Sequence, residues 1–156
     1  MKMEFDYYIY IDYSENLIGY DIIEKDKIAK LLPKLVKFKH YRNAENKKLY
    51  LKNISNTIKR ENITAYFFDI KILRTTKNME VYLDVLDFLK KHSNCIVFIS
   101  VDNNEYDNFI KLVEIIDSNK TKVVKESELR KGTPEYKLSL VIDNLLNIER
   151  IKNKNK

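Results

Sequence analysis

Residues 7–12 alternate strictly, with Tyr8, Tyr10 and Asp12 on one side of an extended chain and Tyr7, Ile9 and Ile11 on the other. Large apolar or aromatic side chains on both sides predict a strand covered on both faces. Ser14-Glu15-Asn16 is a short polar turn and Leu17 to Ile23 a returning strand, so residues 7–23 read as a hairpin. Residues 26–37 and 44–60 have helical patterning, and Pro33 is placed to interrupt the first. The aromatic and β-branched run from Ile63 to Leu73 reads as a third strand. Met79, Tyr82, Leu83, Leu86 and Leu89 give 77–91 an amphipathic helix, ended by His92-Ser93-Asn94. A fourth strand follows at 95–101, then a helix near 105–117 with Phe109, Leu112, Val113 and Ile116 on one face. Thr121 to Val124 is a short fifth strand, and after Gly132-Thr133-Pro134 a last helix spans 135–150, with Pro134 suited to its first turn. A hairpin followed by helix-connected strands implies a mixed sheet with helices on its faces.

Length and composition narrow the class. A chain of 156 residues makes one domain that buries about two thirds of its unfolded surface without disulfides. The single Cys95 begins an apolar strand and reads as a small buried hydrophobe; with it, His40 and His92 are too few for a zinc site. No apolar run approaches a membrane span, and the acidic N-terminus does not look like a signal segment, so a cytoplasmic protein is the expectation.

Charge is unevenly spread. The net +6 divides into −5 over residues 1–24, +10 over 25–60, −2 over 61–146 and +3 over 147–156. The cationic segment 25–60 carries Phe38, Tyr41 and Tyr50 among its lysines, which is either the footprint of a polyanion partner or a solvated helix surface. Lys37, Lys39 and Arg42, clustered around Phe38 and Tyr41, are the candidate contacts to nucleic acid there. The tail, 151–156, is expected to be basic and disordered, which leaves 1–150 as the single domain with 25–60 inserted in it.

Three carboxylates stand at element ends: Asp12 closes the first strand, Glu80 opens the helix at 77–91, and Asp102 closes the 95–101 strand. A lone acid in such a place is more often a turn or helix cap. As a set, acids at strand ends of an open α/β sheet can hold hard divalent cations, and two such ions can clamp the oxygens of a phosphodiester.

Four stretches resemble type 1 ribonuclease H and, more broadly, the ribonuclease H-like nucleases. Ile11-Asp12-Tyr13-Ser14 is similar to that family's first-strand Thr-Asp-Gly-Ser, and Gly19-Tyr20-Asp21-Ile22-Ile23 to its second-strand Gly-Tyr-Gly-Ala-Ile. Thr75-Thr76-Lys77-Asn78-Met79-Glu80 resembles the Thr-Thr-Asn-Asn-Arg-Met-Glu that enters its first helix, and Ser100-Val101-Asp102-Asn103 its Thr-Asp-Ser strand end. The resemblance implies a three-layer ribonuclease H-like α/β fold with a five-stranded mixed sheet, Mg²⁺ or Mn²⁺ as cofactor, and hydrolysis of the RNA strand of an RNA–DNA hybrid. It makes Asp12, Glu80 and Asp102 metal ligands and catalytic acids. Ser14 and Asn78 become candidate contacts to the substrate backbone, although each is equally suited to a turn or cap.

The chain also departs from that pattern. The position of the family's fourth acid is Leu140, and Asp143 is its candidate substitute three residues on, either reaching the metals or facing solvent opposite the Leu138, Val141, Leu145 and Ile148 stripe. No histidine lies between Glu126 and Pro134 where the family has one, and the 25–60 insertion is foreign to it. A divalent-metal-dependent nuclease is therefore one expectation; a catalytically degenerate module that binds nucleic acid or a protein is the other.

Overall fold

The computed structural model describes residues 3–117 and 121–154, without the side chain of Asp117. Strands β1 (Tyr7–Ser14) and β2 (Leu17–Glu24) form the expected hairpin, pairing antiparallel from Tyr7↔Glu24 to Ser14↔Leu17 around a two-residue turn in which Glu15 has φ +53°. The chain then makes α1 (Lys25–Leu31), two 3-10 turns at Leu32–Leu35 and Tyr41–Asn43, and α2 (Lys47–Arg60). Pro33 lies in the first of these turns, where its missing N–H and its ring prevent α1 from running on. The Asn46 side chain caps α2 by accepting from the Leu49 amide at 3.2 Å. Next come β3 (Asp69–Arg74), α3 (Asn78–Lys91), β4 (Cys95–Ile99), α4 (Asn103–Asp117), β5 (Lys122–Lys125) and α5 (Pro134–Lys154).

Several boundaries differ from the sequence reading: α1 ends at Leu31 instead of 37 and β4 at Ile99 instead of 101, and two larger differences follow. Ile63–Tyr66 is a 3-10 turn entered through Asn62 at φ +52°, and the third strand starts only at Asp69. A short apolar run does not by itself distinguish a buried turn from a strand. At the other end, α5 continues to Lys154 instead of ending at 150, so residues 151–154 of the expected disordered tail are helical, and 155–156 lie outside the described residues. Lys154 and Arg150 both reach Glu15 in the hairpin turn, at 3.5 Å each.

The strand order is β3-β2-β1-β4-β5, with β2 antiparallel to β1 and β3, and with β4 parallel to both β1 and β5. Helices cover both faces, which gives the three-layer α/β fold with a five-stranded mixed sheet that the sequence reading expected. On one face α3 and α4 bury Val81, Val85, Leu89, Phe109 and Val113 against Ile9, Ile11 and Val97. On the other, α5 and the 25–60 segment bury Leu138, Val141, Leu31, Phe38 and Ile54 against Tyr8, Tyr10 and Phe98. Because α5 is held between the sheet and the inserted segment, it is buried on both sides: Leu140, Ile142, Asp143, Asn144 and Asn147 are as inaccessible as Leu138 and Val141. Gly19 permits the close packing beneath it, since a Cβ there would stand 2.8 Å from the Lys71 carbonyl oxygen and 3.4 Å from Cδ1 of Ile142 on α5. Among the described residues, no helix is long and apolar enough to cross a membrane.

Candidate active site

Register decides which acids meet. The parallel part of the sheet ends with Ile11↔Ile99 and Ile99↔Lys125 in one row. The row that follows is Asp12, Ser100 and Glu126, at the C-terminal ends of β1, β4 and β5, the edge where open α/β sheets carry their sites. Side chains alternate along a strand, and Ile11 and Ile99 belong to the α3/α4 core, so this next row is turned toward α5. There it meets Asp143, which is 5% exposed, as is Asp12.

Burial raises all three carboxyls, and the charge of Asp143 bears on the other two. Burial pushes the Asp12 pKa well above its ordinary value, and the charges of Glu126 and Asp143 add to the rise; the Tyr13 amide, donating to Oδ1 at 2.8 Å, and the Ser100 hydroxyl oppose it. Glu126 is likewise raised by burial and by Asp143, while Ser100, His40 and Arg42 act in the other direction. Burial lifts Asp143 to about 6 against the pull of the Tyr41 amide and of Arg42.

Both Asp143 oxygens are engaged by the inserted segment. The Tyr41 amide donates to Oδ2 at 2.8 Å, and His40 Nε2 lies 3.2 Å from Oδ1. The second contact is an ion pair only if the imidazole is charged, yet burial and the neighbouring Arg42 lower the His40 pKa below its usual value. His40 Nδ1 accepts from the Arg42 amide at 3.3 Å, which leaves the proton on Nε2. A neutral imidazole donating Nε2–H to an acceptor carboxylate accounts for both contacts. Asn144, one residue along α5, ties the same loop down by donating to the Lys39 carbonyl oxygen at 2.9 Å.

The structure does not bring Glu80 and Asp102 into this group. Glu80 is in the first turn of α3, against the opposite face of the sheet; its side chain is half exposed and lies 3.6 Å from Lys71 Nζ. Asp102 lies exposed beyond the end of β4 and caps α4, its Oδ1 accepting from the Glu105 amide at 2.9 Å. Asn78 donates to Glu105 Oε1 at 3.2 Å and so joins α3 to α4. The Ser14 hydroxyl is held between Asn147 Oδ1 at 2.8 Å and Arg150 Nε at 3.0 Å. Of the cationic candidates, Lys37, Lys39 and Arg42 are all exposed on the loop that covers Asp143. Asp143 itself is buried, which removes the solvent-facing alternative.

Glu126 and Ser100 did not emerge from the sequence reading. The signal that finds them is the residue immediately following each parallel strand, once the strands are aligned by register. His40 has no such signal, because its partner is 103 residues away in the chain.

Three carboxylates short of positive charge are chemically suited to a hard divalent ion. Their spacing does not close on one: among the described residues, no three His, Cys, Asp or Glu side chains approach closely enough to hold a metal ion.

No family model matches the chain. No curated protein matches it in sequence. Among solved structures, one similar to it is that of the PCNA:RNase HII complex from Archaeoglobus fulgidus, a chain of which is 14% identical over 96% of this chain and 73% of that one, with a TM-score of 0.49.

Proposed function

We propose that this protein is a divalent-metal-dependent nuclease that hydrolyses the RNA strand of an RNA–DNA hybrid. The observation that carries the reading is the row Asp12, Ser100 and Glu126 at the C-terminal ends of the parallel strands, facing Asp143 across the gap to α5. The motifs around Asp12 supply the substrate class by resemblance, and the exposed Arg42 near the acids, with Lys37 and Lys39 exposed on the same segment, suits a polyanion.

Asp12, Glu126 and Asp143 would have to draw closer than they stand here to hold Mg²⁺ or Mn²⁺, which would supply an activated water and offset charge on the phosphate. The chain's own residues prepare that role. Ser100 acts on both Asp12 and Glu126 in favour of their ionised forms. The Tyr41 amide and His40 fix the orientation of Asp143. Arg42 adds a positive charge that favours the ionised forms of Glu126 and Asp143.

The test is cleavage of a labelled hybrid in Mn²⁺ by wild type and by Asp12→Asn, together with the melting temperature of each with and without Mn²⁺. A nuclease loses activity in Asp12→Asn, and Mn²⁺ stabilises wild type but not the variant. No cleavage by wild type of hybrid, double-stranded RNA or single-stranded DNA would sink the reading.

A second reading has its own observation. Both Asp143 oxygens are taken by protein groups and no three ligands among the described residues close on an ion, which suits a degenerate site whose surface binds nucleic acid without cutting it. Binding of hybrid in EDTA with no cleavage in any metal would select it.

A further inference from the structure

Between α2 and the C-terminal half of α5 runs a groove of about 560 Å³ that the acid cluster does not use. The two helices contribute the same pattern to it. On α2, Lys48, Leu51, Lys52 and Ser55 fall at i, i+3, i+4 and i+7; on α5, Ile148, Ile151 and Lys152 fall at i, i+3 and i+4. Each spacing puts its residues on one side of its helix, so Leu51, Ile148 and Ile151 form an apolar floor with lysines along its rim. Lys47 brings the lysines to four, and no acid lines the groove among the described residues.

The ring of Tyr41 also lines the groove, with Lys47 Nζ 5.7 Å and the Arg150 guanidinium 5.5 Å from its centroid. The amide of this same residue holds Asp143. The groove therefore shares a residue with the anchorage of the acid cluster.

We infer that the groove takes an unpaired stretch of nucleic-acid strand, its bases on the apolar floor and Tyr41, and its phosphates on Lys47, Lys48, Lys52 and Lys152. An apolar slot rimmed by cations and lined by an aromatic ring is the combination that binds single strands without reading sequence. Charge complementarity identifies the occupant as a polyanion, and the apolar floor favours one that carries flat apolar groups between its charges. This rests on the nuclease reading for its substrate class, since the groove would lead the strand away from the site of cleavage.

The experiment measures anisotropy of a fluorescein-labelled oligothymidylate with the full chain in EDTA, where no metal chemistry intervenes. The groove variant is Lys48→Glu with Lys52→Glu, both exposed, and the charge-matched control is Lys90→Glu with Lys111→Glu on the opposite face. The groove variant is expected to bind on the order of tenfold more weakly at low salt, and losing two phosphate contacts lowers its salt slope by about 1.4. The control should change affinity less than about twofold. An abasic strand of equal length should bind wild type on the order of tenfold more weakly, because it lacks the bases that occupy the floor.

Equal losses in the groove and control variants would overturn the proposal in favour of diffuse charge. So would equal affinity for the abasic strand, and so would tighter, groove-dependent binding of polyglutamate or of anionic vesicles. Hybrid cleavage by the same variants separates this failure from that of the nuclease reading. If Asp12→Asn cleaves like wild type while the groove variant still loses the oligothymidylate, the nuclease reading falls and the groove stands. If Asp12→Asn is inactive and the groove variant binds normally, only the groove falls.

Discussion

Both faces of the sheet carry acids near its C-terminal edge, and their surroundings are opposite. On the α3/α4 face, Glu80 pairs with Lys71 and Asp102 caps a helix, both in contact with water. On the α5 face, Asp12, Glu126 and Asp143 are withdrawn from solvent; burial raises the pKa values of all three, and neighbouring carboxylates add to the rise at Asp12 and Glu126. The acids of the first face are satisfied by structural roles. Those of the second carry an electrostatic cost that the hydrogen bonds from Tyr13, Tyr41 and His40 offset only in part, the usual signature of groups kept for chemistry.

Four measurements break or sharpen that contrast. The largest effect is expected on cleavage of a hybrid in Mn²⁺: Asp12→Asn, Glu126→Gln and Asp143→Asn should each lose on the order of a hundredfold to a thousandfold, the equivalent of several kcal/mol of transition-state stabilisation. Glu80→Gln and Asp102→Asn should stay within a few fold of wild type. A loss in Glu80→Gln matching that of Asp12→Asn would erase the distinction between the faces.

The second effect is on stability against pH. Carboxyls with raised folded-state pKa values bind protons more tightly folded than unfolded, so their contribution to stability falls as pH rises from about 4, by about 1.4 kcal/mol for each tenfold difference in proton affinity between the two states. For Asp143 that fall extends to about 6. Asp21, on the same face, is fully buried, its carboxyl oxygens have no hydrogen-bond partner among the described residues, and burial raises its pKa well above normal. The melting temperature of Asp21→Asn should therefore gain on wild type as pH increases. Parallel curves would show that Asp21 does not titrate on this range.

Third, Gly19→Ala should destabilise by about 1–3 kcal/mol in urea unfolding, because the new methyl meets backbone at 2.8 Å under α5. An unchanged midpoint would mean that β3 yields to the methyl at little cost. The smallest effect belongs to Glu80→Gln, where the half-exposed pair with Lys71 is screened and loses nothing that a thermal melt resolves.

Much of the fold was legible because hydrophobic period and punctuation agree locally. Tyr8, Tyr10 and Asp12 against Ile9 and Ile11 located β1, and the interrupting Pro33 and the Pro134 at the start of a helix lie where backbone chemistry puts them. The same alternation already placed Asp12 on the Tyr10 side of the strand, but nothing local says which helix will cover that side. Motif order drew Glu80 and Asp102 to Asp12, whereas register joins Asp12 to Glu126 through Ser100. The amphipathic stripe read for α5 failed at Leu140, Asp143 and Asn147 because the inserted segment covers the side that would otherwise be wet. His40 and Asp143 are a tertiary match between distant parts of the chain.

That match also sets an order of assembly. Tyr41 and Asp143 are separated by 102 residues, so the loop is tied to the acids only once the last helix exists, although Tyr50 on α2 already holds the Lys39 backbone. During synthesis the sheet would present Tyr8, Tyr10 and Phe98 to water or to chaperones while α5 is still unmade. Closing so long a loop is slow compared with forming the hairpin, which makes docking of α5 the step that completes the core and the acid cluster at the same moment.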